Sequence, residues 1–312
     1  MMRKVLKQFK IILLLSIIIV TVYSVFFLQD KKLTWTSINV SNSIQGDAHL
    51  ISKENIHFLI DTGSHREAKN YLINYLKEKK ITHIDGILIT HPHFDHYGGV
   101  ITILENNITV DKIYMNMPTK AQMHREWWGG EYKHLMQIKD YCKTHQIPFI
   151  SITQNMKLIF DKKSYIKVLY IYDGIHTPVG DTDINDMSAI TMVVDDKNKF
   201  LLTGDLNKKL GTYLASNSNS IKADILKAPH HGGKSLAPNS FFKTVAPKVL
   251  IVPTTQNLWC SDRCKDVREL SKNENYRTYI NGIHGHITVT SYNNEYIIST
   301  EKSPKEICKE GQ

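Results

Sequence analysis

Hydrophobic and polar positions follow two periods along most of the chain. Short apolar runs such as Ile56–Ile60 and Lys248–Pro253 predict strands buried in a sheet. Segments such as Arg66–Lys79 and Glu131–His145 place apolar side chains at helical spacing, which predicts helices with one face on a sheet. No repeat or low-complexity tract interrupts the pattern. From about Leu33 onward the sequence therefore predicts one α/β domain.

The order of these elements predicts two sheets. Strands and helices alternate at both ends of the domain, whereas residues 148–203 contain mainly strand patterns. A strand-rich middle favours a second, largely antiparallel sheet, because antiparallel strands need no helical crossover. We therefore expect two sheets packed face to face with helices on the outside.

The N-terminal segment Ile11–Leu28 is apolar on every side and carries no charge. At about 1.5 Å per residue, a helix of this length nearly crosses a bilayer core of about 30 Å. Basic residues precede it, so the positive-inside rule leaves the N-terminus in the cytoplasm. Val22–Ser24 matches a signal-peptidase site poorly, which favours an uncleaved anchor. We predict a cytoplasmic stub at 1–10, a transmembrane helix at 11–28 and an extracellular domain at 29–312, in a single-pass cell-membrane protein.

Composition narrows the class of protein. The 312 residues are 42% hydrophobic, which excludes a disordered chain or a disulfide miniprotein. The net charge is +9, but four positive charges precede the apolar segment and leave 9 − 4 = 5 for the remainder. This surplus suits an anionic substrate or a solvated lysine-rich surface.

The rarer residues direct attention to metal chemistry. Fifteen histidines, several of them clustered, indicate metal or proton chemistry. The cysteines Cys142, Cys260, Cys264 and Cys308 form no CxxC pair, so they do not indicate a zinc ribbon. Outside the cytoplasm a disulfide is allowed, and the sequence leaves its pairing open.

The segment Thr90–Gly99 brings together three histidines and an aspartate directly after a predicted strand. His91 and His93 can turn their rings toward one metal ion, while Asp95 and His96 reach a neighbouring position. The paired glycines let the backbone turn tightly into a helix. We therefore predict that this loop supplies ligands to two ions.

This H-x-H-x-D-H pattern closely resembles the metallo-β-lactamase superfamily, and the resemblance implies a four-layer αββα sandwich. It also implies that Asp205, in the later sequence Thr-Gly-Asp, bridges two divalent ions. A strand ending in adjacent histidines would supply the last ligand of the second ion. We prefer His230 as that ligand and place His231 beside the substrate.

More of the chain resembles the extracellular domain of ComEC-type competence proteins. The motifs Gln45–Ala48, Leu59–Gly63 and Asn185–Ser188 carry this resemblance, which spans residues 35 to 292. The group lacks the separate histidine that completes the first metal site in β-lactamases. Here the region offers several candidates, and no rule selects among them: His176, Asp181, Asp183, Asn185 and Asp186.

The resemblance implies a metal-dependent phosphodiesterase or nuclease that uses two ions, Zn²⁺ or Mn²⁺. It implies His91 and His93 as ligands of the first ion, and Asp95, His96 and His230 as ligands of the second. Asp95 is also the predicted catalytic residue, because it can receive a proton. Further candidates for contacts to substrate or to a ligand are Asp61, His231, Lys234, Ser235 and Asp186.

The sequence does not identify the substrate. One apolar segment cannot form a DNA channel, so we expect a stand-alone anchored hydrolase acting on an anionic polymer or phosphodiester, such as DNA or a wall or membrane polymer. A β-lactam or thioester hydrolase is one alternative, disfavoured by the missing third histidine. A non-catalytic module that binds DNA or wall polymer is another, disfavoured by the complete set of ligands. A protein partner cannot be predicted from the sequence.

Overall fold

The computed structural model describes residues 13–14, 32–172, 183–217, 219–234, 237–304 and 308. Strands within these residues are short and mostly buried on at least one face. Their bounds are β1 Leu33–Ser37, β2 His49–Lys53, β3 Ile56–Ile60, β4 His83–Ile84, β5 Gly86–Leu88, β6 Thr109–Val110, β7 Ile113–Tyr114, β8 Phe149–Ile150, β9 Lys157–Ile159, β10 Ser164–Tyr170, β11 Ile190–Asp195, β12 Asn198–Leu202, β13 Ile225–Lys227, β14 Val249–Val252, β15 Arg277–Ile280, β16 Ile287–Tyr292 and β17 Glu295–Thr300.

Two large sheets contain most of these strands. The first has the order β17-β16-β1-β2-β3-β5-β7-β8, and the second has the order β15-β14-β13-β12-β11-β10-β9. The pair β4 and β6 forms a small separate sheet. In the second sheet β9 to β12 are antiparallel, as expected, whereas β12 to β15 are parallel. The parallel half follows from the helices that return the chain between those strands.

Helices flank both sheets. The α-helices are His65–Glu67, Ile73–Glu78, Phe94–Tyr97, Val100–Leu104, Lys120–Arg125, Tyr132–Thr144, Lys208–Asn217, Asn239–Val245, Gln256–Cys260, Lys265–Asn273 and Asn281–His284. A π-helical turn, Ala68–Leu72, joins the first two of them into one continuous helical segment. Short 3₁₀ turns are Trp127–Gly129, Ile184–Met187, Asn219–Ile221, Pro229–Gly232 and Asp262–Cys264.

Three hydrophobic clusters define the layers. The central cluster lies between the sheets, where Trp35 of β1 stacks on Phe200 of β12 with ring centroids 5.8 Å apart. A second cluster joins the outer face of the first sheet to helices such as Tyr132–Thr144. The third joins the outer face of the second sheet to helices such as Asn239–Val245. The layers therefore run helix, sheet, sheet, helix, as predicted for a mixed α/β sandwich.

The structure bears on the predicted membrane anchor and on the cysteine pairing that the sequence left open. No helix in the described ranges is long and apolar enough to cross a membrane. Apart from Leu13 and Leu14, the predicted stub and anchor at 1–28 lie outside those ranges. At the other end, Cys308 forms a disulfide with Cys260, 48 positions earlier in the chain. Cys142 and Cys264 are free and buried.

Candidate metal centre

The candidate site lies where several strands end. Asp61 follows β3, the histidine loop follows β5, and Asp205 and His231 follow β12 and β13. Within each sheet the neighbouring strands concerned are parallel, so their carboxyl ends meet at the same edge. The fold therefore gathers residues that are up to 170 positions apart (231 − 61).

One half of the site is a pair of histidine nitrogens. The Nε2 atom of His91 lies 3.2 Å from the Nδ1 atom of His93, and both side chains are buried. Burial, reinforced by the neighbouring His96, holds the pKa of His91 well below its usual range. His91 is therefore neutral near pH 7, and its ring offers a nitrogen beside a second imidazole nitrogen.

The other half contains two carboxylates and two histidines. Ligand atoms of Asp95, His96, Asp205 and His231 all lie within 4.8 Å of one another, and all four residues are buried. His231 Nε2 is 3.1 Å from one carboxylate oxygen of Asp205 and 3.4 Å from an oxygen of Asp95. His96 Nε2 lies 3.4 Å from the other oxygen of Asp205. Asp205 thus faces both histidines at once.

Adjacent histidines at the end of β13 take different positions. Both adopt a left-handed backbone conformation, with φ of 46° at His230 and 53° at His231. His231 is fully buried among the carboxylates, whereas the ring of His230 turns toward Asn207 Oδ1 at 2.8 Å. The Nε2 atom of His230 stays 3.8 Å from Asp205. The structure therefore brings His231, rather than the preferred His230, into the ligand group.

Asp61 orients the histidine loop. Its carboxylate accepts hydrogen bonds from the backbone N–H and the hydroxyl of Thr90, at 2.8 and 2.7 Å. The same carboxylate lies 2.8 Å from His96 Nδ1. A carboxylate behind one ring nitrogen fixes the tautomer and leaves the opposite nitrogen aimed at the site.

A buried lysine, which the sequence analysis did not single out, neutralises the carboxylates. Lys227 is fully buried at the end of β13, and its Nζ lies 2.5 Å from Asp47 and 3.4 Å from Asp205. It also donates to the carbonyl of Gly204 at 2.7 Å. A lysine inside an apolar strand was a usable signal, because buried ammonium groups require anionic partners.

Charge coupling shifts the pKa values of this group strongly. Burial, which lowers the pKa of His96, is outweighed by Asp205, Asp61 and Asp95, and the pKa rises to about 10. Burial of His231 is likewise outweighed by Asp205 and Asp47, so its pKa lies well above the usual value. In Asp205, burial opposes ionisation, but these histidines hold its pKa well below the usual range.

The donor set fits divalent ions. The Nε2 atoms of His96 and His231 are buried and make no hydrogen bond within the described ranges, although each faces carboxylates. Imidazole nitrogens and carboxylate oxygens suit Zn²⁺ and Mn²⁺. Ions in this position would replace protons and Lys227 as the main source of positive charge.

The chain is similar in sequence to a known protein family. Residues 43–255 match the family model described as the metallo-beta-lactamase superfamily. The chain belongs to this superfamily. The resemblance to this superfamily, which the histidine loop first indicated, is thereby confirmed.

Two named relatives show which members of the superfamily this chain resembles in sequence. It is 26% identical to "Recombination protein 2" of Haemophilus influenzae over 257 residues, 78% of this chain and 27% of that protein. It is 25% identical to "ComE operon protein 3" of Bacillus subtilis over 192 residues, 60% of this chain and 22% of that protein. The chain thus spans about a quarter of each relative. These names agree with the ComEC-type resemblance.

A solved structure agrees on the fold alone. The metallo-beta-lactamase fold protein YhfI from Bacillus subtilis superposes with a TM-score of 0.53 at 12% sequence identity. The match covers 83% of this chain and 100% of YhfI. It supports the two-sheet architecture that places the superfamily's ligand loops at one edge.

Some predicted residues of this metallo-β-lactamase-fold site lie outside the ligand group. Asp186 is buried, and burial raises its pKa to about 6, but its carboxylate accepts from the Asn207 backbone N–H at 2.7 Å. The hydroxyl of Ser188, which directly follows that turn, accepts a hydrogen bond from the backbone N–H of Asp205 at 2.9 Å, so this motif holds Asp205 in position. Lys234 is exposed, and Ser235 lies outside the described residues.

The candidates for a third ligand beside His91 and His93 lie at different places. Two of them, at positions 176 and 181, lie outside the described residues. Asp183 caps the turn Ile184–Met187, and the buried Oδ1 of Asn185 has no hydrogen-bond partner among the described residues. Glu126, which the sequence reading missed, lies 3.1 Å from His93 Nε2 and accepts the Ile184 N–H at 2.7 Å. No sequence motif marks Glu126.

An open cavity of about 760 Å³ leads to these side chains. Its lining includes Asp95, Asp205 and His230, together with Trp128 and Arg263. The volume is within the range of small-molecule and polymer-binding clefts. Substrate can therefore reach the carboxylates from solvent.

Proposed function

We propose that the chain is a membrane-anchored, extracellular metallohydrolase that cleaves phosphodiesters with two divalent ions. The observation that carries the proposal is the buried meeting of Asp95, His96, Asp205 and His231, beside the facing nitrogens of His91 and His93. Two adjacent ligand sets, from which His93, Asp95 and Asp205 line one open cavity, are what a two-ion hydrolase requires.

In this proposal His91 and His93 hold the first ion, and Asp95, His96 and His231 hold the second. Asp205 would be shared by the two ions, as the superfamily resemblance implies, and its two carboxylate oxygens face His96 and His231 of the second set. When bound, the ions supply Lewis-acid activation of water and neutralise charge that develops on phosphoryl oxygens.

The protein's own side chains perform the remaining work. Asp61 holds His96 in one tautomer, and Glu126 contacts the outer nitrogen of His93. Asp95 lines the cavity and has a carboxylate oxygen available to receive the proton of the attacking water. Lys227 stabilises the Asp205 carboxylate from the buried side, away from the cavity.

Two kinds of observation support a phosphodiester substrate: the positive charge of the chain and the names of its relatives. The guanidinium of Arg263 lines the cavity, where it can meet an anionic oxygen. The chain outside the N-terminal segment carries a positive surplus, and one relative is a ComE operon protein. These observations favour an anionic polymer, with DNA as the first substrate to test.

Location outside the cytoplasm is supported by two features. The uncharged run at 11–28 follows a basic N-terminus, which favours a membrane anchor with the domain outside. The disulfide between Cys260 and Cys308 suits an oxidising compartment.

The test is hydrolysis of bis(p-nitrophenyl) phosphate by the full chain in detergent, with added Zn²⁺ or Mn²⁺. We expect turnover that Asp95→Ala abolishes while the protein stays folded, because this variant loses both the proton acceptor and a ligand of the second ion. Nitrocefin and a thioester serve as comparison substrates. Preference for either would replace the phosphodiester proposal, and metal binding without any turnover would favour a binding module.

A further inference from the structure

The segment Glu126–Gly130 packs directly onto a proposed metal ligand. The carboxylate of Glu126 contacts His93, and the ring of Trp128 lies 5.0 Å from the His93 ring between centroids. A Cβ atom on Gly129 would lie 2.3 Å from the His93 ring, so only glycine permits this approach. The position of Trp128 is thereby fixed relative to the reactive centre.

The aromatic side chains of this segment face solvent. Trp127 is 75% exposed and Trp128 is 54% exposed, and the nearby Phe94 is 39% exposed. Large aromatic side chains grouped at a surface cleft are typical of binding sites, because their exposure is costly without a partner.

Two cavities meet at these side chains. The cavity above the carboxylates shares Phe94 and Trp128 with a neighbouring, mainly apolar cavity of about 590 Å³. The neighbouring cavity is also lined by Trp127, Tyr97 and Ile101. A ligand bound at the metal centre can therefore extend past Trp128 into an aromatic compartment.

An aromatic, mainly apolar lining beside the proposed phosphodiester site suits a flat, uncharged group. We propose that Phe94, Trp127 and Trp128 form a subsite for a nucleobase next to the scissile phosphodiester; this rests on the proposed function. Arg263 lines the site cavity, so a cation for the phosphate backbone accompanies an aromatic surface for the base. Proteins that hold single strands combine these two features.

The geometry favours a single strand over a duplex. In a duplex both faces of each base are covered by neighbouring bases, whereas an unpaired base has a face free for stacking on an indole. The polar groups of His134 and Gln137 also line the apolar cavity and can meet the edge of a base. The subsite thus selects unpaired polynucleotides without reading one particular sequence.

The test compares a single-stranded oligonucleotide with an abasic copy of the same length, using the full metal-loaded chain. In Trp128→Ala we expect the KM for the normal strand to rise about tenfold, with kcat nearly unchanged, since one stacked base contributes about that factor. Trp128→Phe should recover most of the loss. The abasic strand should not distinguish these variants from the wild type.

Ile297→Ala is the matched control, because Ile297 is 69% exposed on β17 and lines neither cavity. Equal losses on normal and abasic strands, or no loss in Trp128→Ala, would overturn the subsite. Binding of both strands by fluorescence anisotropy gives a second readout. If no phosphodiester is hydrolysed, the proposed function fails, while base-dependent binding that Trp128→Ala removes would still support the subsite.

Discussion

Metal binding should expel protons from the centre, and the number of protons can be worked out from the structure. In the metal-free protein the pKa of His96 is raised to about 10, and that of His231 lies well above its usual value. Both imidazoles are therefore cationic at pH 7, with a proton on each ring nitrogen. A histidine must be neutral to bind a metal ion, so ions bound at the Nε2 atoms of His96 and His231 displace one proton from each.

Two displaced protons set the expected pH dependence. The apparent association constant for metal should rise about tenfold per pH unit for each proton released, or about a hundredfold for two. Removing the His96 proton at pH 7 corresponds to about three pKa units, roughly 4 kcal/mol of the intrinsic binding free energy. Affinity should stop rising as the pH passes the raised pKa values.

Isothermal titration in buffers of different ionisation enthalpy measures this release directly. We expect about two protons per fully loaded protein at pH 7. His231→Ala should reduce the number by about one, whereas His230→Ala should leave it nearly unchanged, because His230 stays outside the ligand group. Release of no proton, or the reverse order of the two variants, would refute the assignment.

The same shifts determine the pH stability of the metal-free protein. The raised pKa of His96 adds stability that is fully present below its unfolded value of about 6.5 and is lost as pH rises through about 10. Urea unfolding of the metal-free chain should therefore show falling stability from pH 7 to pH 10. A midpoint that rises over this range would contradict the charge assignment.

Three further predictions follow from other contacts. Glu126→Ala should weaken metal binding about 10- to 100-fold by freeing the outer nitrogen of His93, and unchanged affinity by titration would argue against that support. Lys227→Met should destabilise the metal-free protein by about 3–5 kcal/mol, because the buried carboxylates of Asp47 and Asp205 lose the ammonium group that they share; in urea unfolding, metal should reduce this loss, and an equal loss with metal would contradict the reasoning. Cys308→Ser should lower stability by about 4 kcal/mol in the loop-entropy model, since the bridge closes a loop of 48 positions; a thermal midpoint unchanged by the substitution and by reductant would count against it.

Local patterns sufficed for much of the fold and the histidine loop. The apolar run at Ile56–Ile60 and the helical spacing at Glu131–His145 both correspond to elements within one residue at each end. The spacing of histidines and aspartate in Thr90–Gly99 indicated a metal site, because all four candidate ligands lie in one short loop. Short-range periodicity controls such features directly.

Features that depend on tertiary contacts could not be predicted from the sequence. The choice between His230 and His231 depends on two consecutive left-handed residues after Pro229, which no pattern announces. Glu126 reaches His93 across 33 positions of the chain, and Lys227 matters only because the fold buries it between carboxylates. The strand β17 was also missed, because only alternate residues along it are shielded from solvent.

The most direct test of the account removes and restores the metal. The full chain is stripped by a chelator, and turnover of bis(p-nitrophenyl) phosphate is followed while Mn²⁺ or Zn²⁺ is added back, beside Asp205→Asn. We predict no turnover without metal and recovery that saturates near two ions per protein. Asp205→Asn should lose the activity while keeping its fold by circular dichroism. Turnover that persists without metal, or that survives in Asp205→Asn, would contradict a two-ion phosphodiesterase centred on this carboxylate.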